Sequence, residues 1–582
     1  MKHRKFLKSL GLCALTIFVA LRGYAQVQTP LRIITTTDVH GNYFPYDFTA
    51  GKDGNGSLAR IYKYVEGERA KYGRDNVLLL DVGDILQGQP SSYYYNFMDT
   101  VSTHVCASVL NFMGYDAMTI GNHDIETGHK VYDRFVSQCD FPVLAANAIN
   151  ILDGKCYWKP YTIVEKAGKR IAVFGLITPT IPRWLPNSLW SGMKFEDMVE
   201  EARLYLPDLR RKADIVVGIF HSGVGKLHEG KQPQHEENAA LAVAQQVPGF
   251  DIIFCGHDHR RADTFVVNTE GDTVRVFNAG PNAEYVSAAT VRFEPKDKKN
   301  IIEGGLVSIS GMEPDPTFMH HFADKINTLK AFTKEVIGKN KKVLTTQPAF
   351  FGPSPFIDFI HRMQLKISKA DISFAAPLSF DGKIERGDVT VGDMFTLYRF
   401  ENRLYVMSLT GQEIKDYLEY SYAGWTRQIT ETDTSMLNFI EPEPQGIGEG
   451  EGWKRLAVPS YNFDSAAGLL YTVDVTKPAG QKVTIISLAN GKEFKLDKKY
   501  RVAMNSYRGN GGGQHLTKGA HIPKDQLQGR IVWTTERDLR YYLMQEIRSE
   551  RGINAKPLNQ WKFIPEKLVK KIRPNDEKRL FR

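Results

Sequence analysis

From about residue 31 to 295 the chain alternates short unbroken apolar runs with longer segments whose apolar residues recur every three or four positions. Leu31 to Thr37, Val77 to Leu80, Ala117 to Ile120, Ile215 to Phe220 and Ile252 to Cys255 have the length and continuity of strands buried on both faces. Between them, Ser57 to Tyr72, Thr103 to Met113, His129 to Gln138, Phe195 to Arg211 and Asn238 to Gln246 carry helical spacing. This alternation predicts a layered α/β domain. The polar segment Glu294 to Asn300, a last strand pattern from Gly304 to Ser310, and then Pro314 and Pro316 close it. Phe318 to Asn340 is apolar at helical spacing with many lysines, which predicts a connecting helix with a solvated face. The second half opens with a helix, Pro355 to Ser368, and continues through strands such as Leu404 to Leu409 and Leu470 to Val475 to a glycine-rich segment, Asn505 to Gly513. Beyond about residue 550 the chain is basic and poorly periodic, which predicts a loosely ordered tail. The expected divisions are 1–25 (leader), 26–311 (first domain), 312–342 (connecting helix), 343–550 (second domain) and 551–582 (basic tail).

Each of the five apolar runs ends on side chains that bind metals: Asp38-Val39-His40, Asp81-Val82-Gly83-Asp84, Gly121-Asn122-His123-Asp124, His221, and Gly256-His257-Asp258-His259. In an open α/β sheet the carboxyl ends of the strands share one edge, so ligands distant in sequence converge there. Singly, these fragments are ordinary turn chemistry. Together they supply the seven to eight ligands that two metals need. Asp, His and Asn without any thiolate suit divalent Zn, Mn, Fe, Mg or Co better than a structural zinc site. Two such ions about 3.5 to 4 Å apart clamp phosphoryl oxygens and acidify a bound water, so the pattern predicts a two-metal hydrolase.

Composition changes this picture little, with 42% apolar and 24% charged residues in 582, enough for two domains. The formal charge of +9 invites a nucleic-acid partner, but Lys2, Arg4, Lys5, Lys8 and Arg22 account for five of it and leave +4. No basic stripe interleaved with aromatics follows, and no stable nucleic-acid partner is expected. A basic start, the apolar stretch Leu10 to Leu21, and small Gly23 and Ala25 before Gln26 predict a cleavable export signal. A secreted or periplasmic protein with no later membrane span follows from that. Five cysteines make no disulfide framework. Cys255 suits a buried strand position, whereas Cys106, Cys139 and Cys156 leave room for one bridge of unreadable connectivity.

The fragments resemble the calcineurin-like metallophosphoesterases, and nearly everything after the leader resembles the 5′-nucleotidase family, which includes periplasmic 2′,3′-cyclic-nucleotide phosphodiesterases. The resemblance implies a four-layer metallophosphoesterase-type α/β sandwich with a second, C-terminal α/β substrate-binding domain. It also implies that Asp38, His40, Asp84 and His259 hold one metal, and Asp84, Asn122, His221 and His257 the other, with Asp84 as the bridge. His123, beside a ligand but not needed as one, is then the residue that stabilises the transferring phosphoryl group or protonates the leaving oxygen. The family's orienting carboxylate falls at Glu126 by position, with Asp124 the competitor. Asp81 and Asp258 either hold ligand histidines or cap the strand turns.

In the second domain the resemblance places a base-stacking pair at Phe400 and Tyr507, beside Asn402. Stacking grips any base, so small-molecule nucleotides are the expected partners. Two departures bear on the substrate. A Gly-Gly-x-Arg motif of the true 5′-nucleotidases is replaced by Ala375-Ala376-Pro377-Leu378-Ser379-Phe380-Asp381-Gly382, and their Asp after the paired glycines is Gly513 here. Thr36-Thr37-Asp38-Val39-His40 and Tyr461-Asn462-Phe463-Asp464 are closer to the branch acting on 2′,3′-cyclic nucleotides and 3′-nucleotides. The alternatives are a 5′-nucleotidase or UDP-sugar hydrolase, a thiosulfohydrolase, and an inert binding protein on the same fold.

Overall fold

A computed structural model describes residues 29–227, 233–295, 299–448 and 450–581. The export signal expected over 1–25 lies outside the described residues. In the first half, two six-stranded sheets stack face to face. One runs, in spatial order, Ile301–Ser308, Tyr285–Arg292, Leu31–Thr36, Val77–Asp81, Ala117–Thr119, Val143–Leu144. The other runs Ala262–Val267, Thr273–Asn278, Ile252–Cys255, Ile215–His221, Lys169–Ile177, Tyr161–Lys166. The ligand-bearing strands are the parallel ones, Leu31–Thr36 beside Val77–Asp81 and Ile215–His221 beside Ile252–Cys255.

The apolar runs are continuous because each strand is covered on both sides. Leu78 and Leu80 face the second sheet in a layer shared with Ile215, Val217 and Ile219. Val77 and Leu79 face the helices Leu58–Tyr72 and Val105–Met113. On the opposite outer surface Val216 and Phe220 pack against Met198–Lys212 and Ala240–Gln246. Helix, sheet, sheet and helix thus form four layers, and period-two alternation of apolar with apolar residues is the sequence's record of them.

The connecting segment differs from the expected single helix. It forms Pro316–His321 and Ala323–Lys334, whose Phe318 and Leu329 pack into the first core together with Phe322 between them, and Val336–Asn340 is already a strand of the second half. There, a five-stranded sheet is ordered Ser465–Ala467, Ile372–Ala375, Lys499–Asn505, Arg403–Thr410, Ile531–Asp538, with the helix Pro355–Ser368 packed on it.

The basic tail is not loose. Trp561–Ile564 pairs in parallel with Leu469–Asp474, and the helix Glu566–Phe581 buries Leu568, Val569, Ile572 and Leu580 in the second core. Its buried Asp576 accepts hydrogen bonds from Met436 N at 2.9 Å and Leu437 N at 3.1 Å. Lysines and Arg573 between those apolar positions, and Pro574 inside the helix, dilute a periodicity that only the receiving surface makes useful. The expected room for a disulfide is also unused: Cys106, Cys139, Cys156 and Cys255 are free thiols. No helix among the described residues is long and apolar enough to cross a membrane.

The two halves meet around the carboxyl edge of the first. Tyr93 Oη donates to Asp538 Oδ2 at 3.1 Å, Arg537 donates to the Phe97 carbonyl at 3.2 Å, and Asn510 Nδ2 donates to the Trp184 carbonyl at 2.6 Å.

Truncation after Arg551 removes the strand and helix that cover Trp425, Tyr422 and Phe350. The second half is expected to lose its cooperative thermal transition, followed by near-ultraviolet circular dichroism, and to become the first site of limited proteolysis.

Candidate metal centre and substrate cleft

The strand ends deliver the candidate ligands to one place. Ligand atoms of Asp38, His40, Asp84 and His259 lie within 4.8 Å of one another, as do those of Asp84, His221 and His257, and Asp84 belongs to both groups. Asn122 joins the second: its Oδ1 is 2.7 Å from His257 Nδ1 and 3.1 Å from His221 Nε2. Nε2 of His40 and of His259 face each other at 3.0 Å, an arrangement of lone pairs that suits a shared cation.

The backbone is bent to make this cluster. Asp38, His40, Asp84, His257 and His259 all have positive φ, between 49° and 73°. For residues with a Cβ this conformation costs about 1 kcal/mol or more apiece, and it turns each side chain back from the strand end toward the common centre. Two glycines are required by the same crowding. A methyl group at Gly121 would lie 2.2 Å from Asp84 Oδ1, and one at Gly256 would lie 2.0 Å from Thr37 Oγ1 and 2.6 Å from Asp38 Oδ2.

The polar surroundings fit two divalent cations. Asp84 is fully buried; its Oδ1 accepts from His123 N at 2.8 Å, while Oδ2 has no hydrogen-bond partner and sits 3.1 Å from His221 Nε2. An unsatisfied buried carboxylate oxygen is costly unless a cation meets it. Burial opposes the charge on Asp84, yet His221 and His123 hold its pKa well below the usual range. His40 Nδ1 is 3.1 Å from the Gln87 carbonyl and His221 Nδ1 is 2.7 Å from the Val82 carbonyl, which directs each Nε2 lone pair inward. Burial also lowers the His40 pKa to about 4, the neutral form a ligand needs. The donor set therefore matches a bimetal site, with Asp84 as the residue common to both ions.

His123 is one-third exposed and stands at the cleft side of this cluster. Its Nδ1 is 2.6 Å from Glu126 Oε2. Asp124, the competing carboxylate, points elsewhere: it accepts from the backbone N–H groups of Asp84, Ile85, Leu86 and Gly121 at 2.8 to 2.9 Å and so pins the metal loop. Burial works against a proton on His123, but Asp84 and Glu126 outweigh it and raise the pKa to about 10. Asp81 and Asp258 brace turns instead of histidines. Asp81 accepts from Thr36 Oγ1 and Gly83 N, and Asp258 from Val224 N, Arg260 N and Asn278 Nδ2.

The cluster opens into a cleft of about 420 Å³ between the halves, lined on one side by Asn122, His123 and His257 and on the other by Phe400, Asn402 and Tyr507. Gly512 lies directly under the Tyr507 ring, where a methyl group would come within 2.5 Å of it. Arg508, fully buried, ties the ring's loop to the Tyr461-to-Asp464 segment: Nε is 2.7 Å from Asp464 Oδ2, and the other nitrogens donate to Asn462 Oδ1 and the carbonyls of Tyr461 and Gly512. This clamp explains Gly513. It has φ +65, and a methyl group there would lie 2.0 Å from the Arg508 guanidinium and 2.3 Å from Asn462 Oδ1, leaving no room for an aspartate.

Two participants escaped the sequence reading. Glu237 Oε1 is 3.2 Å from His257 Nε2, and the Trp184 ring stacks on His257 with centroids 5.5 Å apart. Both lie in irregular loops, where no periodicity or neighbouring motif marks them.

Comparison with known proteins agrees with this geometry. Residues 31–261 match the calcineurin-like phosphoesterase family and residues 334–518 the 5′-nucleotidase C-terminal domain. The trifunctional nucleotide phosphoesterase YfkN of Bacillus subtilis is 28% identical over 93% of this chain, which spans only 39% of that longer protein. A 2′,3′-cyclic-nucleotide 2′-phosphodiesterase/3′-nucleotidase of Haemophilus influenzae is 26% identical, covering 94% of this chain and 89% of its own. Among solved structures, one from Staphylococcus aureus named as a candidate 5′-nucleotidase superposes with a TM-score of 0.73 at 23% identity, covering 92% of this chain and 99% of that one.

Asp84→Asn is expected to lose nearly all phosphoesterase activity together with bound metal, read by elemental analysis. His123→Ala should lose about 10² to 10⁴ in turnover with metal content retained. Glu126→Gln should follow His123→Ala in kind, and an unchanged rate there would remove Glu126 from its place behind the histidine.

Proposed function

Because the chain joins a calcineurin-like phosphoesterase domain to a 5′-nucleotidase C-terminal domain, and is thus a two-metal phosphoric ester hydrolase, we propose that its substrates are 2′,3′-cyclic nucleotides and 3′-nucleotides. We further propose that it works outside the cytoplasm, on the strength of the basic and apolar leader pattern over 1–25. The observation that carries the reading is the single cleft in which a bimetal donor set faces Phe400 and Tyr507. Metal chemistry alone would serve any phosphate ester; aromatic rings across the cleft suit a nucleobase.

The branch rests on the second half. Residues 375–382 carry no arginine, and the Arg508 clamp occupies the space that an aspartate at 513 would need. Both features that mark the 5′-nucleotidases in sequence, the arginine motif and the aspartate, are thus missing here. The similarity to the Haemophilus phosphodiesterase/3′-nucleotidase over nearly the full chain supports the same choice.

Asp38, His40, Asp84 and His259 would hold one divalent ion, and Asp84, Asn122, His221 and His257 the other. When bound, the pair supplies charge neutralisation for the phosphoryl oxygens and acidifies the attacking water. The chain's own residues do the rest. Phe400 and Tyr507 stack the base and fix the nucleoside, so that the phosphate meets the centre in one orientation. Glu126 accepts a hydrogen bond from His123 Nδ1, which aims Nε2 into the cleft with a proton for the leaving ribose oxygen. In a cyclic diester that oxygen is O2′; in the resulting 3′-phosphate it is O3′. The same histidine serves both steps.

On purified mature protein, kcat/KM is expected to be higher for 2′,3′-cyclic AMP and 3′-AMP than for 5′-AMP. A higher value for 5′-AMP would overturn the branch and leave the phosphoesterase chemistry standing.

Replacing Phe400 or Tyr507 by Ala should raise KM for nucleotides, at about 1 to 3 kcal/mol per stacked face. Hydrolysis of p-nitrophenyl phosphate, which has no base, should change far less; equal losses on both would make the rings packing elements.

A further inference from the structure

The substrate cleft does not end at the metal centre. Trp184, Glu237 and Tyr507 line it and also line a second, adjoining cavity of about 520 Å³ that leads outward between the two halves. Trp184 and Glu237 both touch the candidate ligand His257, so the groove starts beside the metal centre. The nucleoside cleft and this groove therefore leave the same point on different sides. A phosphomonoester needs only one of them. A phosphodiester has two arms.

The walls of the groove carry charge suited to an anion. Arg183, on the turn Ile181–Arg183 of the first half, and Lys524, at the start of the turn Lys524–Gln526 of the second, both line it and are exposed. Neither makes an ion pair among the described residues, and the only side-chain hydrogen bond there is a long one, 3.5 Å, from Arg183 to the His235 carbonyl. They lie close enough for the charge of Arg183, after burial, to lower the pKa of Lys524. Two cations brought together from separate halves repel one another; Glu237, in the same wall, acts on Lys524 in the opposite sense, and a further anion between the cations removes the repulsion that remains. The nearby carboxylate, Glu237, is engaged with His257. The glycine-rich wall is also conformationally forced: Gln514 and His521, both lining the groove, adopt positive φ of 64° and 57°.

We propose that this groove binds the far arm of a linear nucleoside 3′-phosphodiester, with Arg183 and Lys524 taking a further phosphate carried on that arm. The inference rests on the functional reading above and extends it to short oligonucleotides. In the reaction, the oxygen of water bonds to phosphorus and the bond from phosphorus to the ribose O3′ breaks. O3′ leaves with a proton, the second water proton is released, and the products are a nucleoside and the 5′-phosphate of the far arm.

The test compares adenylyl-(3′→5′)-adenosine with the same dinucleotide bearing a terminal 3′-phosphate, using metal-loaded full-length mature enzyme at low salt. Cleavage at the internal linkage is followed by chromatographic release of adenosine with 5′-AMP or adenosine 3′,5′-bisphosphate. The terminal 3′-phosphate is itself an ester this enzyme removes, so internal cleavage is read as an initial rate before that phosphate is lost. On that reading the terminally phosphorylated substrate is expected to have a kcat/KM about tenfold higher, the scale of one charge-assisted contact. That advantage should shrink as salt is raised. Arg183→Ala with Lys524→Ala should bring the ratio to near one while 3′-AMP hydrolysis stays unchanged; both positions are exposed, so the fold is not at stake. Equal efficiencies in the wild type, or an advantage that survives in the double variant, would overturn the proposal. Absence of 3′-AMP and 2′,3′-cyclic AMP hydrolysis in the wild type would instead bring down the functional reading, and this inference with it.

Discussion

The buried carboxylate of Asp84 is the constraint around which the molecule is arranged. A carboxylate removed from water with one oxygen unmatched is among the costliest things a fold can contain. Here it lies where two sheets, several loops and five left-handed residues all deliver positively charged or cation-binding groups. The four-layer packing supplies the rigidity for this. Strands covered on both faces cannot shift register without breaking close packing on each side and drawing their polar end residues into the core, so their ends are fixed points from which strained loops can project. Strain at Asp38, His40, Asp84, His257 and His259 is tolerable only because the two cores over-determine it.

The second half imposes its own constraint through Arg508. One guanidinium, fully buried, binds the Asp464 carboxylate, the Asn462 amide and two carbonyls, and thereby sets the loop on which Tyr507 stands. Its geometry excludes a side chain at 513 and leaves the Tyr507 ring lying on Gly512. What can stand at position 513 is therefore a packing consequence, set by Arg508 and its partners.

Contacts between the halves join these two constraints. Asn510, in the Tyr507 loop, holds the carbonyl of Trp184, whose ring covers His257. The wall that carries Tyr507 and the wall that carries His257 are thus one hydrogen bond and one ring stack apart.

The sequence by itself determined the strand ends and their chemistry. Continuous apolar runs report burial on two faces, and polar residues placed immediately after them sit on the sheet's carboxyl edge, so their convergence was legible without coordinates, while the family resemblance singled out Asp38, His40, Asp84, Asn122, His221, His257 and His259 among them. What it did not determine was anything that depends on how side chains from separate elements meet. Glu126 and Asp124 are two residues apart and equal by chemistry; only the loop's path puts one against His123 and the other on four backbone N–H groups. The tail looked loose because its lysines mask an apolar stripe, and a stripe predicts a packed helix only when a surface exists to receive it. Glu237, Trp184 and the Arg508 clamp share the same physical reason. They act through contacts between segments that have no periodic relation in the chain, and such contacts are decided by tertiary packing alone.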